Sequence, residues 1–132
     1  MKELTIKIPS IPENIRIVES FIDNANEEFK FSSDVYGNIM VAVTEGVNNA
    51  IVHGNQSDST KNVQLSLIIE ENKVLFNITD EGSGFDYEKL PDPTAPENLE
   101  KTGGRGIFLM THLADEVKFN ETGNNIELGF NL

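Results

Sequence analysis

The most restrictive feature of this sequence is a pair of alternating runs in its middle. Val63, Leu65, Leu67 and Ile69 are apolar at every second residue, and after Glu71-Asn72 the same holds for Val74, Phe76 and Ile78. Successive side chains of a strand point to opposite faces, so this period means two strands, each with one face on a core. The short turn between them makes an antiparallel hairpin. Strands of a doubly wound parallel sheet are covered on both faces and read as continuous apolar runs, so that architecture is the runner-up. The alternation predicts an α+β fold: a two-layer α/β sandwich, its mostly antiparallel sheet covered on one face by about three helices.

The rest of the chain supplies the other strands and the helices. Leu4, Ile6 and Ile8 alternate, so Leu4–Ile8 reads as a strand, and Pro9-Ser10-Ile11-Pro12 ends it. Pro12 suits the first position of a helix, with Glu13 in its first turn. Ile15, Val18, Ile22, Ala25 and Phe29 recur at three and four, which predicts an amphipathic helix over 13–29. A second helix opens near Ser33, an N-cap residue followed by Asp34, and closes at Gly54. Its apolar stripe is Val35, Ile39, Val43, Val47 and Ala50. Gly37 and Gly46 interrupt it at up to ~1 kcal/mol each against Ala. Gly46 either admits a ligand or neighbouring strand or is a tolerated accident.

Residues 54–62 form a polar loop. After the hairpin come a glycine-rich turn at 80–86, a period-free stretch at 87–102 with three prolines, and a short apolar helix with Ile107, Leu109, Met110 and Leu113. Two strands close the chain, about 116–120 and 125–131. Phe21, Phe29, Phe31 and Phe76 read as core. No repeat and no linker divides the sequence, and 132 residues suffice for one domain with a proper core but not for two. Residues 1–132 are therefore expected to be a single domain.

Charge narrows the function. Ten basic residues face 22 acidic ones, a formal net charge of −12. A duplex-binding protein needs a basic footprint, so direct contact with nucleic acid is not expected. A basic protein partner fits, as does a charge that only confers solubility. The absence of cysteine excludes disulfides and thiolate metal sites. No apolar run reaches the ~20 residues of a membrane span and no signal peptide is visible, so a cytoplasmic protein is expected, with no membrane attachment. With lysines scarce, a nucleotide's phosphates would have to be met by backbone N–H groups and a divalent cation.

Three segments carry candidate chemistry. The first is Glu45 to Asn55, Glu-Gly-Val-Asn-Asn-Ala-Ile-Val-His-Gly-Asn, at the end of the second helix. At ~100° per residue, Glu45 and Asn49 lie about 40° apart on one stripe, with His53 a further 40° on. That stripe borders the apolar one, as groups kept in a cleft would. The second is Asp80-Glu81-Gly82-Ser83-Gly84, directly off a strand. The third is Gly103-Gly104-Arg105-Gly106, opening a helix after the long stretch 87–102. Singly, each has an ordinary reading: a decorated helix, an Asx-turn, a connector. Their order and spacing together point to a site.

On these residues the chain resembles the GHKL, or Bergerat-fold, ATPase superfamily, and within it the small anti-sigma factor serine kinases. Glu45–Asn55 resembles the family's N box, Asp80–Gly84 its G1 box, and Gly103–Gly106 with Ile107-Phe108-Leu109 its G2 box. The resemblance covers nearly the whole chain. It implies ATP and Mg²⁺ as cofactors. It implies that Glu45 is the catalytic residue that orients or deprotonates the attacking hydroxyl, and that Asn49 ligates the metal. Asp80 would accept a hydrogen bond from the adenine amino group. Gly82 and Gly84 would let the backbone pass close to the base. Gly103, Gly104, Arg105 and Gly106 would meet the phosphates at a helix N-terminus, with 87–102 as a lid. Arg105 reads equally as a solvated loop residue. His53 reads as a structural histidine, hydrogen-bonded at the helix end, and Asn48 as exposed.

The function so implied is a protein serine/threonine kinase that phosphorylates an anti-sigma antagonist protein and sequesters a sigma factor, as a homodimer. A nucleotide-dependent binding module without kinase turnover is the alternative. The catalytic piece of a histidine kinase ranks below both, since no dimerising hairpin with a phosphoacceptor histidine precedes the domain. A plain interaction domain without nucleotide is the last reading.

Overall fold

The alternating runs become neighbours in a five-stranded sheet. The computed structural model describes residues 2–82, 109–120 and 124–132. Strands β1 (Lys2–Pro9), β2 (Asn62–Ile69), β3 (Lys73–Thr79), β4 (Glu116–Phe119) and β5 (Asn125–Asn131) stand in the order β1-β2-β3-β5-β4. Each neighbouring pair is antiparallel. The expected hairpin is β2–β3, with Leu65 opposite Ile78, Leu67 opposite Phe76 and Ile69 opposite Val74. Phe76 faces Leu128 on the other side. The register therefore places apolar residues in rows on one face. The other face carries Thr5, Ser66, Asn77, Glu127 and Lys118 across the five strands. Thr5 and Ser66 share a hydroxyl–hydroxyl bond there of 3.0 Å.

Helices cover the apolar face. Pro12–Asn14 forms a 3-10 turn, and α1 (Ile15–Phe29) follows, so the helix expected from 13 begins with a tighter turn. Val18, Ile22 and Ala25 are its buried positions. Lys30 ends it in the left-handed region (φ 54°), donating its N–H to the Asn26 carbonyl at 2.8 Å. Helix α2 (Ser33–Asn49) is capped by Ser32, not by Ser33. Ser32 has the extended backbone an N-cap needs, and its Oγ accepts the Val35 N–H at 3.3 Å. Residues 109–113 are helical, here α3, and place Met110 in the core.

The core runs from α1 through α2 to the sheet. Ile39, Ala42, Val43 and Val47 of α2 are buried against β2, β3 and β5 residues, with Phe76 and Phe130 edge to face at 6.0 Å. Each large apolar side chain so buried contributes about 1.5–3 kcal/mol. Phe21, Phe29 and Phe31 pack on its margin. Gly46 has a clear reason. A Cβ there would lie 2.5 Å from Ile78 Cδ1 and 3.0 Å from Met110 Sδ. It admits the neighbouring strand and α3.

Helix α2 does not stop at Asn49. It widens into one π turn, Ala50–Gly54, closed by the Asn55 N–H on the Ala50 carbonyl at 2.8 Å. Single π turns in helices are frequent at functional sites. Here the extra residue carries the chain across the end of β3.

Candidate nucleotide site

The end of α2 rests on the end of β3. Gly54 lies directly over Asp80: a Cβ at Gly54 would lie 2.5 Å from Asp80 Cγ. Gly82 in turn packs under Gly54, where a Cβ would come within 2.7 Å of the Gly54 carbonyl carbon. Neither glycine has a left-handed φ. Both are there for space, because two backbone segments and a carboxylate occupy one small volume.

Asp80 is 8% exposed, one of few buried polar residues. Its Oδ1 accepts the Gly82 N–H at 2.8 Å, an Asx-turn that fixes the carboxylate. Its own N–H donates to the Asn124 carbonyl at 3.0 Å, extending the β3–β5 pairing by one residue. Burial pushes the Asp80 carboxyl above the usual carboxylate range, opposed by the Gly82 N–H and the Lys61 charge. A buried acid kept partly desolvated is suited to one directed hydrogen bond from a ligand, and perturbed acids of this kind cluster at binding sites.

Glu45 and Asn49 lie on α2, roughly two turns and one turn before Gly54. Asn49 is about 60° round the helix from the Gly46–Ala50 stripe that packs on the sheet, so it borders the contact without joining it. Both side chains are half-buried. Neither forms a side-chain hydrogen bond among the described residues. Among those residues no group of three or more His, Cys, Asp or Glu could hold a metal. A cation bound at Asn49 would thus take its remaining ligands from phosphate and water, which is how Mg²⁺ is usually held. The residues present fit that ion.

The structure thus brings Gly54, Asp80 and Gly82 together at the end of β3, and Glu45 and Asn49 stand half-buried on the helix that leads there. Gly84, Gly103, Gly104, Arg105, Gly106 and the stretch 87–102 lie outside the described residues. Asn48 is exposed, as expected. His53 differs from expectation: it is exposed and its side chain makes no hydrogen bond among the described residues. Sequence reasoning counted Gly54 and Asn55 within the Glu45–Asn55 segment but gave neither a role of its own. Their signal was the polar pair closing an otherwise apolar helix end.

A family model for the histidine kinase-like ATPase domain matches residues 8–130. The chain belongs to the histidine kinase-like ATPase family. It is 30% identical over 123 residues to the serine-protein kinase RsbW of Oceanobacillus iheyensis, covering 89% of this chain and 78% of that protein. It is 25% identical to the serine-protein kinase RsbW of Bacillus subtilis, covering 95% and 82%. Among solved structures it is similar to the RsbU and RsbW domains of Rv1364c from Mycobacterium tuberculosis. The TM-score is 0.68 at 16% identity, over 99% of this chain and 31% of that one, a likeness of fold. As a member of the histidine kinase-like ATPase family, the chain places Asp80 off a strand and Asn49 on the helix above it.

Proposed function

We propose that this chain is an ATP-dependent protein serine/threonine kinase that phosphorylates a small antagonist protein and, through that modification, controls its hold on a sigma factor. The observation that carries this reading is the seating of Gly54, at the end of the Glu45–Asn55 segment, on Asp80, in a family of ATPase domains and in a chain similar to serine-protein kinases along most of its length. Residues 1–132 act as one nucleotide-binding domain, with 87–102 as its lid.

The residues divide the work. Asp80 accepts the adenine amino group, and the close passage at Gly82 shapes the floor beneath the base. Gly84 continues that floor, and Gly103, Gly104, Arg105 and Gly106 meet the phosphates. Asn49 would be the protein's own ligand to Mg²⁺, which neutralises phosphate charge when bound. Glu45, one turn earlier on the same stripe, faces the acceptor hydroxyl. In the transfer, the hydroxyl oxygen of the acceptor serine or threonine forms a bond to the γ-phosphorus. The bond from that phosphorus to the β–γ bridging oxygen breaks, ADP leaves with its electron pair, and the hydroxyl proton passes to Glu45.

The partners are proteins. A net charge of −12 favours a basic surface on at least one of them and disfavours direct nucleic-acid contact. Among the described residues no helix is long and apolar enough to cross a membrane, and a cytoplasmic homodimer is the proposed working form. The test is transfer of label from γ-labelled ATP, with Mg²⁺, to small antagonist proteins encoded beside this gene. A phosphoserine or phosphothreonine product is expected, lost with EDTA and reduced at least ~100-fold in Glu45→Ala, the range for a positioned base. No transfer, with wild type and Glu45→Ala alike, would contradict the kinase.

A further inference from the structure

Three successive backbone N–H groups form the turn that carries the candidate base-binding carboxylate. Each is held by a different acceptor. Asp80 N–H donates to the Asn124 carbonyl at 3.0 Å, Glu81 N–H to Asn55 Oδ1 at 2.7 Å, and Gly82 N–H to Asp80 Oδ1 at 2.8 Å. The first acceptor is a sheet neighbour's backbone and the last belongs to the turn itself. Only the middle one is a side chain from another element.

Asn55 is 1% exposed, and its polar groups are fully engaged. Its Nδ2 donates to Ser10 Oγ at 2.7 Å and to the Asn62 carbonyl at 3.0 Å. Its N–H closes the π turn on Ala50, and its carbonyl accepts the Asp58 N–H at 3.1 Å. Ser10 Oγ in turn donates a hydrogen bond to the Lys61 carbonyl at 2.8 Å. The amide orientation follows from these partners. Glu81 N–H can only donate and the Asn62 carbonyl can only accept, so Oδ1 must face β3 and Nδ2 must face β2. One side chain thus joins the exit of β1, the end of α2, the start of β2 and the exit of β3. The Glu81 carboxylate adds a return bond by accepting the Asn62 N–H.

We infer that Asn55 is a positioning residue for nucleotide recognition: its Oδ1 fixes the Glu81 peptide and so the direction in which Asp80 presents its carboxylate, without touching the nucleotide. The inference rests on the proposed ATP site for its functional consequence. Its structural half, the hold on the turn, is independent of any nucleotide. A buried amide of this kind is costly to remove, because each abandoned partner stays desolvated. A purely stabilising network would lower the melting temperature in Asn55 and Ser10 variants alike and leave nucleotide affinity of the folded protein unchanged in both. Positioning makes them differ, because only Asn55 touches the turn.

The test compares Asn55→Leu and Asn55→Ala with Ser10→Ala in the full chain, well below each melting temperature. Mg·ATP affinity is read by calorimetry, and the Glu81 and Gly82 amides by nuclear magnetic resonance with hydrogen exchange. In the wild type, both amides are expected to be protected. Both Asn55 variants are expected to lose protection at Glu81, to shift the Gly82 amide resonance, and to bind Mg·ATP at least tenfold more weakly. Ser10→Ala is expected to lower the melting temperature while keeping affinity within twofold and both amides in place. An unprotected Glu81 amide in the wild type overturns the inference, even should no Asn55 variant fold. So does unchanged affinity in a folded Asn55 variant, or equal loss in Ser10→Ala. If the wild type binds no Mg·ATP, the ATP reading fails by itself, and the amide measurements still decide whether Asn55 holds the turn.

Discussion

The two halves of α2 use the same residue for opposite reasons. In the first half, a Cβ on Gly37 would meet nothing within 4 Å. In the second half, a Cβ on Gly46 would strike Ile78 and Met110, and at the end of the π turn a Cβ on Gly54 would strike Asp80. The first glycine is a weak point in a scaffold helix. The others are conditions for bringing the helix down onto the end of the sheet. The difference teaches that the amino-terminal half leaves room beside the helix, while the carboxyl-terminal end is packed against the sheet next to the candidate site. The half-buried Glu45 and Asn49 lie only in the second.

The sharpest way to break that comparison is to add a methyl group where backbones touch. In Gly82→Ala the new carbon meets the Gly54 backbone, which no side-chain rotation can relieve. A loss above ~3 kcal/mol in denaturant unfolding is expected, at or beyond the usual range for overpacking, together with loss of nucleotide binding. Gly54→Ala meets a side chain instead, so about 1–3 kcal/mol is expected, and Mg·ATP affinity should fall because Asp80 must swing away. If both variants bind nucleotide normally, the packed half is not a site.

Asp80→Asn separates binding from stability. A hydrogen bond to a charged group is worth about 1.5–3 kcal/mol, so Mg·ATP affinity should fall by roughly 10- to 100-fold. Stability should move the other way. Burial raises the folded-state pKa of Asp80, so the fold favours its protonated form. That stabilisation is complete below the ordinary aspartate pKa of ~3.9 and is lost as pH rises through the folded pKa. The asparagine variant should therefore be at least as stable as wild type near neutrality, with the difference shrinking on acidification. Unfolding curves at several pH values check the sign.

Smaller effects sharpen the contrast along the helix itself. Gly46→Ala meets the ends of flexible side chains, and its propensity gain of ~1 kcal/mol offsets part of the clash. A net loss of about 0–2 kcal/mol is expected. Gly37→Ala has no clash to offset and should stabilise by roughly 0.5–1 kcal/mol, with nucleotide affinity unchanged. Equal responses at the two positions would erase the distinction.

The sheet was legible because its period is simple. Strict alternation at 63–69 and 74–78 fixed both the hairpin and the covered face, and β2 and β3 pair in that register. Helix α1 was legible from its three-and-four spacing. The cap of α2 was misplaced by one residue because two adjacent serines offer the same side chain, and only the extended backbone at Ser32 chooses between them. The π turn was not legible, since nothing in Ala-Ile-Val-His-Gly distinguishes a wide turn from an ordinary one. His53 was read as hydrogen-bonded at the helix end, but it is exposed. In the candidate site, Glu45, Asn49 and Asp80 stood out by residue type and spacing. Asn55 did not, because its role depends on Ser10, Asn62 and Glu81 arriving from three other places in the chain.

The most direct measurement is calorimetric titration of Mg·ATP into the wild type, Asp80→Asn and Gly37→Ala, each first shown to be folded. Binding by the wild type and Gly37→Ala, with at least tenfold weaker binding by a folded Asp80→Asn, is the expected result. Equal affinity in all three would mean that the carboxylate beneath Gly54 does not hold the base.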